Sequence, residues 1–290
     1  MTAALAVDIG GTKVLCALVE NGEVSKHAVA ETDAGAGPEI WLEKAAELAA
    51  PWGGEYACVG LAVTGMVDAA GQWSALNTGT LNIPRNTPLT ARAQSRFGVP
   101  ALALNDAQAA AWGEYRFGAG AGEDMVFLTV STGIGGGIVS GGQLLRGRSG
   151  LAGHFGQAAF GHVPKGRFEE RSAGRWLASA ARDAGHDCDA KQLFAAAVKG
   201  EPWAVALRND LVGRVADLLA DVQLMLDPVR IVLGGGIGLS DNFVADLAAR
   251  HTEIRAELCP HLVQAQLGVL AGAVGAADLT LEQFKMTRRN

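Results

Sequence analysis

Two adjacent residues, Asn105 and Asp106, stand where an apolar run meets an alanine-rich stretch, and they are the side chains best placed to do chemistry. Residues 99–104 read as a buried strand and 107–115 as a helix. That order sets a carboxylate at the carboxyl edge of a sheet, where ligands of open α/β sheets gather. There an aspartate can take the proton of a sugar hydroxyl as it attacks a γ-phosphoryl group. A plain N-cap needs only one Asn or Asp. Two glycine-rich turns supply the complementary part. One is Asp8, Ile9, Gly10, Gly11, Thr12 and Lys13; the other runs from Ser131, Thr132 and Gly133 to Gly137. Each follows an apolar run, 4–7 and 125–130. Glycine permits positive φ and lets a phosphate approach backbone N–H groups. Two such hairpins suggest two lobes gripping one polyphosphate.

The other candidates carry two readings each. Asp8 can hold Mg²⁺ through a water, or is a turn aspartate. Lys13 meets a phosphate, or is a solvated turn lysine. The Gly234, Gly235, Gly236 run suits the adenosine part of a nucleotide, or close packing of a helix on a strand. Asn77 and Thr78 lie on a polar loop whose amide and hydroxyl suit a sugar, as they also suit a turn; Asn82 reads better as a turn. His154, among glycines at 150–156, is a cleft residue or a satisfied core histidine. Glu169 and Glu170 precede a helix; one can accept hydrogen bonds from a sugar, or both answer the helix dipole.

The elements that must position these groups follow from periodicity. Strands are predicted at 4–8, 14–20 and 24–30, with Asn21-Gly22 as a hairpin turn. A helix over 37–50, a buried strand over 56–63 and a helix over 89–97 come next. After the flexible stretch 118–123 the pattern repeats: strands at 125–130, 135–140 and 143–145. Helices at 174–184 and 203–226, a strand at 229–233 and helical stretches at 242–251 and 270–287 complete it. The order is α/β. The predicted division is a lobe of 1–117, a lobe of 118–278, and a closing helix, 279–290, packed on the first lobe.

Composition narrows the class. With 290 residues, two lobes are the default. Hydrophobic residues at 49% exclude a disordered chain. A formal net charge of -6 without a basic patch argues against a nucleic-acid partner. Cys16, Cys58, Cys188 and Cys259 are scattered and form no CxxC pair, which suggests reduced thiols in the cytoplasm. No apolar run approaches the ~18 residues of a membrane span, and no charged leader with a cleavage site is seen.

Taken in order, DIGGTK at 8–13, TG at 64–65, NDAQAAAWGEY at 105–115, VSTGIGGGIV at 130–139, GLAGHFG at 150–156 and LGGGIG at 233–238 resemble the ROK family (repressor, open reading frame, kinase) over nearly the whole chain. The resemblance implies a two-lobed actin-like ATPase (ribonuclease H-like) fold, each lobe a mixed sheet with helices. It is strongest to members that use ATP and Mg²⁺ to phosphorylate N-acetyl-D-mannosamine at its 6-hydroxyl, in sialic acid breakdown. Another hexose is the alternative, and a non-catalytic sugar-binding regulator a weaker one; family regulators carry an added N-terminal helix-turn-helix domain that does not fit before Asp8. The resemblance implies Asp106 as catalytic base. Gly65, Asn77, Thr78, Asn105, His154 and Glu169 would lie along the sugar. Gly10, Gly11, Thr12, Lys13, Thr132 and Gly133 would meet phosphates, and Gly235 would sit under the adenosine. Many members have a zinc site of one histidine and a cysteine run. Here Gln157 takes the histidine's place, and 161–169 contains no cysteine. The prediction is therefore no structural zinc, with Gln157 touching the sugar, and a homodimer as in many relatives.

Overall fold

The computed structural model describes residues 3–77, 81–159, 166–252 and 255–287. The first half contains β1 (Ala4–Ile9), β2 (Lys13–Glu20), β3 (Glu23–Glu31), α1 (Pro38–Ala49), β4 (Val59–Val63), β5 (Met66–Val67), β6 (Gln72–Ser74), β7 (Thr87–Pro88), α2 (Leu89–Phe97), β8 (Ala101–Asn105) and α3 (Asp106–Phe117). The second contains β9 (Met125–Val130), β10 (Ile134–Ser140), β11 (Gln143–Leu145), α4 (Gly174–Asp183), α5 (Ala190–Val198), α6 (Pro202–Leu226), β12 (Arg230–Gly234), α7 (Gly235–Gly238), α8 (Phe243–Ala249), β13 (Leu262–Gln264) and α9 (Ala271–Thr287).

Both halves build the same sheet. The orders are β3-β2-β1-β4-β8 and β11-β10-β9-β12-β13. In each, three strands form an antiparallel meander and two more add in parallel. The β2–β3 turn is the predicted one: Asn21 and Gly22 both have positive φ, 51° and 83°, as the tight hairpin turn requires. Alternation along β1 decides what packs on each face. Leu5, Val7 and Ile9 join a core with Trp41, Leu42 and Ala45 of α1, whereas Ala4 and Ala6 face Ala273 and Ala277 of α9. Small side chains on that face let the last helix lie close. A Cβ on Gly275 of α9 would stand 1.8 Å from the Ala109 carbonyl oxygen of α3.

Helices α3 and α9 pack together between the two sheets, sharing a core with Leu104, Phe127 and Val232. On the far side of the second sheet, α4, α5 and α6 bury Leu177, Leu193, Leu211, Val215 and Leu218. Three features go beyond the sequence reading. Strands β5, β6 and β7 form a separate three-stranded sheet beside the first. Helix α5 opens on a capping box, with the Asp189 side chain accepting from Gln192 N and the Gln192 side chain from Asp189 N. Strand β13 completes the second sheet.

Candidate functional site

The carboxyl ends of β1, β4, β8 and β9 open onto one cavity of about 490 Å³. Its wall contains Gly11, Thr12, Gly65, Asn77, Asn105, Asp106, Thr132, Gly133, His154, Gln157 and Glu169. Residues separated by more than 150 positions are thus brought together. Asp8, Gly10, Lys13 and Gly235, also expected at the site, are not in this wall. Gly10 and Lys13 close the first turn on themselves, Gly10 N donating to the Lys13 carbonyl at 3.0 Å. Thr78 lies outside the described residues.

Asn105 and Asp106 form the junction of β8 and α3. Asn105 caps the helix: its Oδ1 accepts from Ala107 N at 3.0 Å and Gln108 N at 3.1 Å. Its Nδ2 donates to the Gly65 carbonyl at 2.8 Å and to Asp106 Oδ1 at 2.9 Å. The same Oδ1 accepts from Ala107 N at 2.8 Å. One amide therefore caps the helix, ties down the Gly65 turn and orients the aspartate. Gly65 is required there, since its φ is 90° and a Cβ would meet the Ser74 carbonyl oxygen at 2.6 Å. Burial raises the pKa of Asp106 against the lowering influence of the Ala107 N–H, His154 and Asn105. Burial, helped by Asp106 and opposed by Lys13, also pushes Asp8 from 3.8 up to about 7. Two carboxylates that repel each other at a sheet edge favour a cation between them.

Opposite Asp106, Glu169 gathers amide donors. Its Oε1 accepts from Asn77 Nδ2 at 2.9 Å and from Gln157 Nε2 at 2.7 Å. Arg167 Nη1 donates to Asn77 Oδ1 at 3.2 Å. The first half thus meets the second across the cavity mouth through side chains that suit hydroxyl groups. Glu170 has another task, accepting from Arg167 N at 3.1 Å at the start of its own turn. Asn82 donates to the Gly35 carbonyl, in keeping with a turn role. His154 Nε2 stands 3.4 Å from the Gly65 carbonyl, and its Nδ1 is buried without a partner among the described residues.

The second glycine turn divides its labour. Thr132 and Gly133 face the cavity, but Gly137 packs on Ala111, and Gly136 on Phe155. The glycines of β10 thus serve helix and loop packing. Gly235, with φ 83°, opens α7 against β9, where a Cβ would meet Thr129 Oγ1 and the Val130 carbonyl at 2.5 Å. Its neighbours Gly236 and Ile237 line a second cavity of about 700 Å³, together with Thr132 and Phe194. Arg175 borders both cavities, a residue that the sequence reading does not single out. It lies 43 positions beyond Thr132, and the signal that locates it is a backbone bond, Arg175 N to the Thr132 carbonyl at 3.2 Å.

Residues 4–283 match the ROK family. The bifunctional enzyme NanE/NanK of Brucella melitensis is 46% identical over 282 residues, 97% of this chain and 54% of that protein. The chain therefore spans about half the length of that relative. An N-acetylmannosamine kinase of Salmonella typhimurium is 38% identical over 283 residues, 95% of this chain and 97% of that one. A crystal structure of a ROK family glucokinase from Streptomyces griseus, in complex with glucose and AMPPNP, superposes with a TM-score of 0.80 at 32% identity, covering 96% of this chain and 98% of that one. The fold is the two-lobed α/β architecture of the actin-like ATPases, and the chain belongs to the ROK family.

Proposed function

We propose that the protein transfers the γ-phosphoryl group of ATP to the 6-hydroxyl of N-acetyl-D-mannosamine, as a step in sialic acid breakdown. The observation that carries this reading is the side-chain set of the cavity, one positioned carboxylate facing a glycine turn, joined to the 38% identity with an N-acetylmannosamine kinase over nearly the whole chain. Asp106 is the base: its raised pKa makes it a better proton acceptor than an exposed aspartate. As the sugar O6–P bond forms and the bond from P to the β–γ bridging oxygen breaks, the hydroxyl proton passes to Asp106. Asn105 holds that carboxylate in place. Gly65, Asn77, Thr78, His154, Gln157 and Glu169 bind the sugar, with Glu169 exchanging an amide donor for a sugar hydroxyl. Gly10, Gly11, Thr12, Lys13, Thr132 and Gly133 serve the phosphates and Gly235 the nucleoside. Mg²⁺ would supply charge neutralisation on the phosphates, and Asp8 is the carboxylate that would hold it, since a cation there would offset the burial and the Asp106 repulsion that disfavour its ionised form.

The lobes in this reading are 1–117 and 118–278, with the closing helix returning to the first; α9 contacts β1, β2, β4 and α3. A second reading, phosphorylation of another hexose, draws on the 32% identical glucokinase. Steady-state assays with ATP, Mg²⁺ and a sugar panel separate the two. We expect kcat/KM for N-acetylmannosamine to exceed that for glucose by at least about tenfold; equal or better turnover of glucose would sink the first reading.

The proposal extends to a cytoplasmic homodimer without structural zinc. Among the described residues no helix is long and apolar enough to cross a membrane. Gln157, in place of the family's zinc-binding histidine, bonds to Glu169, so the two ends of the sugar loop are joined by protein groups. Native mass spectrometry reads both points at once. The expected species is a dimer with no bound zinc; a zinc per subunit or a monomer refutes the respective part.

A further inference from the structure

The cavity expected to receive a triphosphate has two carboxylates in its wall, Asp106 and Glu169, and the chain as a whole carries a net charge of -6. Lys13, the lysine of the first turn, is not in the wall. Among the residues that line the cavity, Arg175 is the one Lys or Arg. It is also common to the second cavity, which runs to Gly236 and Phe194, and to a third of about 550 Å³ that reaches Arg167 and Trp176. It therefore stands where the sugar side and the nucleoside side meet.

The backbone fixes that position. Gly174 N donates to the Ser131 carbonyl at 2.8 Å and Arg175 N to the Thr132 carbonyl at 3.2 Å, so the first turn of α4 is bolted to the glycine turn. A Cβ on Gly133 would lie 3.0 Å from Glu169 Oε2 and 4.0 Å from Arg175 Nη2, which sets the guanidinium beside the turn that shares the cavity wall with Asp106. We propose that Arg175 is a phosphate-positioning residue: its guanidinium meets the γ-phosphate of ATP and lets the site prefer triphosphate to diphosphate. The planar fork suits the charge and the paired oxygens of a phosphoryl group, which a lysine ammonium engages only as a point charge. This inference rests on the kinase reading above.

Calorimetric titration of the full chain with a non-hydrolysable ATP analogue and with ADP tests it, for wild type, Arg175→Gln and Arg175→Lys. For R175Q we expect affinity for the ATP analogue to fall about tenfold, about 1.4 kcal/mol, and affinity for ADP to change less than about twofold. KM for ATP should rise while KM for the sugar stays level, and R175K should recover part of the loss. Unchanged affinity for the analogue in R175Q, or an equal loss for ADP, overturns the assignment. If R175Q does not fold, R175K alone decides between these outcomes through the same ratio of affinities. Failure of wild type to bind either nucleotide would instead overturn the kinase reading.

Discussion

The two five-stranded sheets have one topology and opposite endowments. At the carboxyl edge of the first stand two carboxylates, Asp8 at the end of β1 and Asp106 after β8, both pushed up by burial. The matching edge of the second carries Thr132, Gly133 and Gly235, which are small or hydroxylic, and α4 places the Arg175 guanidinium beside Gly133. Shared backbone order thus sets where a functional group can stand, and the residues at strand ends decide its charge. Phosphoryl transfer needs both kinds of edge facing each other: an acid edge to take a proton, and a neutral or cationic one to bring an anion near it.

The largest effect should come from changing Asp106, the proposed base of the acid edge. Asp106→Asn keeps the size of the side chain and its bond to Ala107 N. We expect kcat to fall by about 10²–10⁴-fold, the span ordinary for a general base, with sugar binding by calorimetry still detectable. Activity within a factor of about three of wild type would remove Asp106 from its proposed role and erase the contrast between the edges.

Much of this contrast is readable from sequence because strand-end residues are local features. An apolar run followed by Asn-Asp, or by Thr-Gly, announces itself within ten residues. What sequence hides is whatever a distant backbone positions. Arg175 looks like any helix arginine until the bonds to Ser131 and Thr132 place it. Glu114 is a second case. Nothing in the sequence distinguishes it within an alanine-rich helix, yet it is fully buried. Its carboxylate accepts from Ala119 N, where the chain leaves the first half, and from Gln266 N and Leu267 N, where the chain returns. One side chain therefore ties both crossings between the halves, and its partners lie 152 and 153 positions away. The β5–β7 sheet is hidden for a different reason, since strands of two or three residues are too short to show a period.

A smaller effect sharpens the contrast through pH. The folded-state pKa of Asp8 is about 7, against 3.8 for an unperturbed aspartate. Between those values the folded chain holds a proton that the unfolded chain has released. Stability contributed by this group is therefore greatest below about pH 4 and is lost as pH rises towards 7, after which it is level. The shift caps the effect at about 4 kcal/mol. Asp8 is only half-buried, and water screening brings the expectation to about 1–2 kcal/mol. Asp8→Asn removes the titration. Melting curves from pH 4 to pH 8, without divalent cation, should show the wild type losing ground to Asp8→Asn as pH rises. Added Mg²⁺ should narrow that gap at pH 8, because a cation near Asp8 and Asp106 favours the ionised form that burial disfavours. No counterpart of this slope should arise from the second edge, whose Thr132, Gly133 and Gly235 do not titrate there. Parallel melting curves for wild type and Asp8→Asn across the range would mean that the two edges differ less in electrostatics than their residues imply.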